Sequence, residues 1–338
     1  MQTVFELGRV PYVAADPIKQ QSFSDQIVFA ILVLYDLIKV LVLSAPNCLL
    51  SVYHCVIGKP KKSVRGQTVL ITGGGNGIGR ALALRFASEG CNIAIADIEW
   101  DAAVATAKLL QAKNVVAKAY HMDVSDVNQL KQLQCDIEKD IGPVDILVNN
   151  AGVLPLLSLR EGSDIEIERI VKVNITSQFF ATRTFLPGMI SRRRGHIVGI
   201  SSICAVHPLP GTVIYSATKF AVNGYIQALH EELRQEGNHF IKLTSVLPYF
   251  VSTRRDLMEA VRLRFPVLSA EEVAAVAVDS VLRNELVVSV PKFNWWLSAI
   301  VNLLSLSNQG LIRDHLLREG EGRKIFYKEK KSSTLVNG

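Results

Sequence analysis

The chain has 338 residues, 49% hydrophobic and 20% charged, with a formal net charge of +6 and a mean hydropathy of +0.25; it can bury one large core and has apolar residues to spare, which excludes a disordered chain. Its five cysteines, at 48, 55, 91, 135 and 204, show no paired spacing and no Cys-x-x-Cys, so a reducing compartment is expected and neither a disulfide framework nor a metal site is. The positive charge is scattered over Lys59 to Arg65, Arg192 to Arg194 and Lys328 to Lys331, with no aromatic-studded basic face of the kind that binds nucleic acid.

Residues 1–25 are a polar lead-in without a period. The apolar surplus is concentrated in 26–57, where Ile27 to Tyr35 and Val40 to Leu43 are split by Asp36 and Lys39. Those two charges are three apart, so they share a helix face and can neutralise one another. A helix from Gln26 to Ala45 spans about 30 Å, the thickness of a bilayer core. Pro46-Asn47 and the apolar piece Cys48 to Ile57 leave two alternatives to a single span: a bent monotopic or hairpin anchor, and a soluble packing helix. A secretory leader fits less well, because the run starts after 25 mixed residues and offers no small-residue cleavage site. Residues 58–66 form a basic linker with Lys59, Lys61, Lys62 and Arg65. That flank is more basic than the one before the run, so the positive-inside rule places the region from residue 67 onward in the cytosol.

From residue 67 strand and helix alternate. Strands are expected near 67–72, 92–96, 115–120, 145–149, 195–201, 240–246 and 286–290, and helices near 77–89, 101–112, 127–140, 164–191, 213–236 and 270–283. This alternation predicts an α/β fold, a Rossmann-type doubly wound parallel sheet forming a single domain over 67–291. Such sheets bind ligands at their carboxyl edge, where Asp97, Asn150 and Ser202 fall.

The stretch Val69-Leu-Ile-Thr-Gly-Gly-Gly-Asn-Gly-Ile-Gly79 reads as a buried strand, a glycine turn and a helix start, the context of a dinucleotide site. Glycines let the backbone approach a pyrophosphate, and the helix start offers free N–H groups and a positive dipole end. The second strand, Asn92-Ile-Ala-Ile-Ala-Asp97, ends in an acid where a ribose-binding carboxylate falls. Asp97 would accept from the ribose hydroxyls and repel a 2′-phosphate, and no arginine comes directly after it, so NAD is favoured over NADP.

Tyr215 and Lys219, in Val213-Ile-Tyr-Ser-Ala-Thr-Lys219, lie four apart on a helix and so share one face. An ammonium beside a phenol favours the phenolate and lowers its pKa from about 10. A tyrosine so placed serves as a general base or acid, and Ser202 can hydrogen-bond the same substrate oxygen. His207, in Ala205-Val-His-Pro208, reads as a loop residue lining the pocket mouth. Region 292–327 is again apolar and amphipathic, with Trp295 and Trp296 near its start; it suits a membrane interface or lid contact, or packing on the core or a second subunit. The tail 328–338 is expected to be disordered.

Along residues 66 to about 291 the chain resembles the short-chain dehydrogenases/reductases. Thr72-Gly-Gly-Gly-Asn-Gly-Ile-Gly79 is similar to that family's cofactor turn, with Thr72, Gly73, Gly77, Ile78 and Gly79. Asp123-Val124 is similar to its adenine contact, Asn149-Asn-Ala-Gly152 to the strand end carrying Asn150, and Val251 and Thr253 to its carboxamide and phosphate contacts. Asn174, Ser202, Tyr215 and Lys219 match its catalytic set, with Lys219 also on the nicotinamide ribose. Within the family, Leu247-Pro-Tyr-Phe-Val-Ser-Thr253 and Val288-Ser-Val-Pro-Lys-Phe-Asn-Trp-Trp296 are most similar to the membrane-associated epidermal retinol and 17-beta-hydroxysteroid dehydrogenases. One departure is Tyr249, where most members carry glycine after the proline. The resemblance implies an NAD-dependent oxidoreductase that interconverts a lipophilic alcohol and its aldehyde or ketone on endoplasmic reticulum or lipid-droplet membrane; a homodimer is compatible with the sequence. The alternative is a membrane scaffold that keeps the fold and the NAD site without turnover.

Overall fold

The computed structural model describes residues 23–155, 159–160, 162–209, 211–253 and 266–317. Most of the lead-in and everything after residue 317, including the expected tail, lie outside the described residues. The chain divides into two compact units, 1–59 and 60–338.

The first unit is helix α1 (Phe23–Ile57), unbroken despite Pro46 inside it. Its stretch Gln26–Pro46 is long and apolar enough to cross a membrane, and none of it is buried. No chain reversal of the kind a hairpin needs occurs within α1. Asp36 and Lys39 are both exposed and, among the described residues, form no ion pair, in contrast to the sequence expectation. An exposed pair on one helix gains only about 0.3–0.5 kcal/mol against the entropy of two long side chains.

The second unit runs β1 (Thr68–Thr72), α2 (Gly77–Ser88), β2 (Asn92–Asp97), α3 (Trp100–Gln111), β3 (Ala117–His121), α4 (Val127–Asp140), β4 (Val144–Asn149), α5 (Asp164–Val171), α6 (Ser177–Ser191), β5 (Gly195–Ile200), α7 (Val213–Gln235), β6 (Ile241–Pro248), α8 (Ala270–Leu282), β7 (Val287–Val290), α9 (Phe293–Val301) and α10 (Leu306–Leu317). The strands pair in parallel in the order β3-β2-β1-β4-β5-β6-β7. Residues of β1 and β4 alternate between two cores because both sheet faces are covered. Val69, Ile71, Ile146 and Val148 face one core with α2, α3 and α8, whereas Leu70 and Leu147 face the other with α4, α6 and α7. The winding reverses between β1 and β4, so the crevice at their carboxyl ends is the place for a ligand.

Two segments differ from the sequence reading. The helix expected over 164–191 is α5, opened by a Ser163/Glu166 capping box, then a widened turn at Lys172–Thr176, then α6. The widening centres on Asn174, and such π-type turns recur at functional sites. The segment expected as the basic linker is mostly exposed but is anchored to the domain at Lys61, Lys62 and Val64. Lys62 N–H donates to Leu282 O at 2.8 Å, Val64 is 2% exposed in the core, and Lys61 pairs with Asp279 at 2.7 Å. Lys62 Nζ meets His196 Nδ1 at 2.8 Å, and His196 Nε2 meets Thr244 Oγ1 at 2.8 Å. Burial lowers the Lys62 pKa to about 8, assisted by Lys242. Long-range hydrogen bonds and an ion pair thus hold Lys61 and Lys62, two of the four basic residues of the segment.

Candidate active site

The glycine turn between β1 and α2 is shaped by sterics. Gly73 and Gly77 have φ of +64° and +53°, values that side chains rarely adopt. A Cβ on Gly79 would lie 2.0 Å from Gly73 O, so only glycine fits where α2 begins against the turn. No side chain caps α2, which leaves its first N–H groups facing the cleft as an anion cradle. These features fit the pyrophosphate of a dinucleotide.

Thr72 and Asn150 brace the same turn from behind. Thr72 Oγ1 accepts from Asn150 N–H and Ala151 N–H, both at 3.1 Å. Asn150 Nδ2 donates to Thr72 O and Gly73 O, both at 2.9 Å. Together they tie the ends of β1 and β4, the two strands that flank the crevice.

A cleft of about 540 Å³ opens over this edge. Of the residues singled out in the sequence, Gly73, Gly77, Ile78, Gly79, Asn150, Ser202, Tyr215, Lys219, Val251 and Thr253 line it. Thr72, Asp97, Asp123, Val124 and Asn174 do not. Asp97 Oδ2 accepts from Gly75 N–H at 2.8 Å and Oδ1 from Glu99 N–H at 2.9 Å, so its carboxylate is fixed beside the glycine turn rather than in the lining. Glu99 does line the cleft and is held by Asn76 Nδ2 at 2.9 Å. Asp123 Oδ1 accepts from Ser125 N–H at 2.8 Å, which shapes the turn before α4, and Val124 is half-buried there.

The side chains expected from the sequence to move a proton converge from the end of β5 and from α7. Lys219, 4% exposed, donates to Ile200 O at 2.9 Å and lies 5.5 Å from the centre of the Tyr215 ring. Loss of hydration lowers the Lys219 pKa to about 8, opposed by the Cys204 thiol. Ser202 Oγ accepts from Cys204 N–H at 3.1 Å, which fixes the hydroxyl at the cleft wall. Asn174 sits one layer back. Its Oδ1 accepts from Val153 N–H at 2.7 Å and its Nδ2 donates to Val153 O at 2.9 Å and Thr218 Oγ1 at 3.2 Å. Thr218 Oγ1 in turn donates to Tyr215 O at 2.7 Å. Asn174 therefore joins the segment beyond β4 to the turn of α7 that carries Tyr215. A Cβ on Gly152 would stand 3.3 Å from Asn174 Oδ1 and 3.5 Å from Lys219 Nζ, so glycine keeps that gap open.

Tyr249 is built into the wall. Its N–H donates to Val290 O at 2.8 Å, and its ring meets Phe250 edge-on at 5.0 Å. Burial pushes its phenol up to about 12. Phe250, Leu209, Thr212, Cys204 and Leu154 also line the cleft. The sequence carried no local signal for them, since apolar residues and a threonine in loops carry no period or spacing that separates lining from core. His207 is not in the lining. Its Nε2 meets Ser298 Oγ at 2.7 Å, so it ties the loop after Ser202 to α9 instead of lining the mouth. Among the described residues, no group of His, Cys, Asp and Glu side chains is placed to hold a metal ion.

With this geometry in place, comparison with known proteins is informative. The family model "short chain dehydrogenase" matches residues 67–260. Human 17-beta-hydroxysteroid dehydrogenase 13 is 33% identical over 261 residues, 77% of this chain and 87% of that protein. Mouse epidermal retinol dehydrogenase 2 is 32% identical over 266 residues, 77% and 85% respectively. Rat estradiol 17-beta-dehydrogenase 11 is 33% identical over 258 residues, 76% and 86%. Among solved structures, a short chain dehydrogenase/reductase from Burkholderia phymatum in complex with NAD superposes with a TM-score of 0.65 at 23% identity, covering 78% of this chain and all of that one.

Proposed function

The chain belongs to the short chain dehydrogenase family, and on that premise we propose that it is a membrane-held, NAD-dependent dehydrogenase of a lipophilic alcohol. The observation that carries this is the meeting of Tyr215, Lys219 and Ser202 in one cleft with the uncapped glycine turn. The turn and the start of α2 would hold the pyrophosphate, and Lys219 the nicotinamide ribose. When bound, NAD supplies the hydride acceptor. Ser202 orients the substrate hydroxyl, and Tyr215 takes its proton as the carbinol C–H bond breaks, leaving the aldehyde or ketone. Lys219 favours the phenolate by its charge, and Asn174 holds the turn of α7 from which Tyr215 projects. In the reverse direction Tyr215 returns the proton to the carbonyl oxygen.

NAD rather than NADP is supported by two carboxylates, Asp97 held beside the glycine turn and Glu99 in the lining, which would repel a 2′-phosphate, while Lys219 is the one lysine or arginine among the described lining residues. A lipophilic substrate is supported by the walls of Leu154, Ile203, Leu209, Tyr249 and Phe250 and by the hydroxysteroid and retinol dehydrogenase relatives. Retinoid, hydroxysteroid and long-chain alcohols are the classes to assay. Tyr215→Phe is expected to lower turnover on the order of 10²-fold or more while NAD binding stays near wild type. A mutant with half the wild-type rate, or a wild type that turns over with NADP tenfold better than NAD, would sink the corresponding assignment.

Helix α1 would hold the enzyme on endoplasmic reticulum or lipid-droplet membrane with the catalytic domain in the cytosol, since the flank after the apolar run is the more basic. Protease added to intact microsomes is expected to digest the domain. Protection of it would reverse the orientation.

A further inference from the structure

Helix α9 is amphipathic in the reverse of the usual sense. Its inner side carries Ser298 and Val301, both buried, with Asn294 and Trp295 half-buried. Its outer side presents Phe293, Trp296 at 67% exposure and Ile300, and the turn beyond it continues with Leu303 at 86% and Leu306 at 83%. Positions 293, 296, 300 and 303 recur at helical spacing, so these side chains form one stripe. A contiguous exposed apolar stripe marks a surface that meets something other than water.

The chain's own connectivity says what that is. Asp279 is a shared clamp: its carboxylate takes Lys61 Nζ at 2.7 Å and Lys292 Nζ at 3.9 Å. Lys61 is where the chain from α1 enters the domain, and Lys292 is the residue before α9. Only residues 58–60 lie between Ile57 and Lys61, so extended chain allows at most about 14 Å between them. A lipid surface that holds α1 is therefore within short reach of the side of the domain where α9 starts. A partner protein would need no such coincidence, and a tryptophan with one face dry and its N–H wet suits the interface of a bilayer.

We propose that the stripe Phe293, Trp296, Ile300, Leu303 and Leu306 seats in the same lipid surface as α1 and gives the catalytic domain a second membrane contact. The inference rests on the membrane reading of α1. Its consequence for the reaction runs through Ser298 on the inner side. The Ser298 hydroxyl donates to Asn294 O at 2.6 Å, so its oxygen accepts from His207 Nε2–H at 2.7 Å. The His207 loop continues to Leu209 and Thr212, which line the cleft. Seating α9 in lipid places the cleft mouth at the membrane, where a lipophilic alcohol is dissolved.

The test uses the full chain in phosphatidylcholine vesicles with or without bromine on the acyl chains, which quenches only indoles that enter the lipid. In a Trp100→Phe/Trp295→Phe variant, Trp296 is the remaining tryptophan, and its emission is expected to fall by about half or more in brominated vesicles. A Trp295→Phe/Trp296→Phe variant, which keeps Trp100, should be little changed. A chain that floats with the vesicles but leaves Trp296 unquenched overturns the second contact and leaves the α1 reading intact. A chain that does not float overturns both. Trp296 shielded from lipid in a species that cross-links as a dimer also overturns the proposal, in favour of a second copy. In a second arm, Trp296→Ser/Ile300→Ser/Leu303→Ser should lower turnover of a vesicle-dissolved long-chain alcohol about tenfold, a change of 1.4 kcal/mol. Turnover of a short water-soluble alcohol should stay level, and an equal fall in both would mark a structural role and sink the idea.

Discussion

Lys219 and Lys62 stand at opposite ends of strand β5, and burial lowers both to a pKa of about 8. Lys219 donates to the carbonyl of Ile200, the last residue of β5, and its ammonium lies beside Tyr215 on the same helix face, both in the cleft lining. Lys62 donates to His196, the second residue of β5, whose Nε2–H then donates to Thr244 and Thr244 to Glu285 O at 2.7 Å. That chain of hydrogen bonds ends on backbone, and none of its members lines the cleft. A depressed lysine pKa therefore reports desolvation, and only the group it faces separates chemistry from structure. The carboxyl edge of a parallel sheet is where loops diverge and leave a crevice, whereas the amino edge here is closed by the segment around Lys62.

The largest expected effect tests Lys219, the member of this pair proposed to act in the reaction. Lys219→Met should lower turnover at least on the order of 10²-fold and also weaken NAD binding, because it removes the phenol's charge partner and the proposed ribose contact together. Lys62→Met should leave NAD affinity and turnover within about twofold if position rather than pKa decides; an equal loss in both variants would erase the contrast. Of intermediate size is Gly152→Ala. Its Cβ would press on Asn174 Oδ1 at 3.3 Å while only touching Lys219 Nζ at 3.5 Å. A several-fold loss of turnover with the thermal midpoint held within a few degrees is expected, on the order of 1 kcal/mol of strain; unchanged kinetics would show that Asn174 can shift without consequence.

The smallest effect is on stability against pH. His196 is buried and desolvated, with Lys62 and Lys242 nearby, so its pKa lies well below 6.5 in the folded chain. Below about pH 6.5 the unfolded chain binds a proton on this histidine that the folded chain does not. Stability from this site is thus complete above that pH and is lost as pH falls towards the folded value. Lys62, lowered from 10.5 to about 8, adds a rise in stability as pH increases between those two values. His196→Gln keeps a donor for Thr244 and removes the acid-side slope, so urea midpoints measured from pH 7.5 to 5 should flatten relative to wild type. A mutant with the same slope would place the acid sensitivity elsewhere.

Much of this architecture was legible because its signals are local. All seven strands lie within two residues of where the alternating pattern placed them, and α2, α3, α4, α7 and α8 begin and end within a residue of their expected segments. Gly73, Gly77 and Gly79 announced the turn because only glycine tolerates its backbone and its close approach. Tyr215 and Lys219 announced their meeting because a helix fixes what lies four residues on. The apolar run of α1 was visible from hydropathy alone.

The remainder depended on partners far away in sequence. The break at Lys172–Thr176 answers to contacts of Asn174 with Val153 and Thr218, 21 and 44 residues off. The capture of Lys62 by His196 spans 134 residues, and that of His207 by Ser298 spans 91. No period or spacing encodes such pairs. Backbone sterics and helix and strand geometry act over a few residues, so the sequence by itself determined the strands, the glycine turn and the Tyr215–Lys219 pair. Which lysine lines a cleft, which backbone N–H groups hold Asp97 and Asp123 and which histidine holds α9 were decided by tertiary packing, because burying a polar group requires whatever partner the fold brings within hydrogen-bond reach.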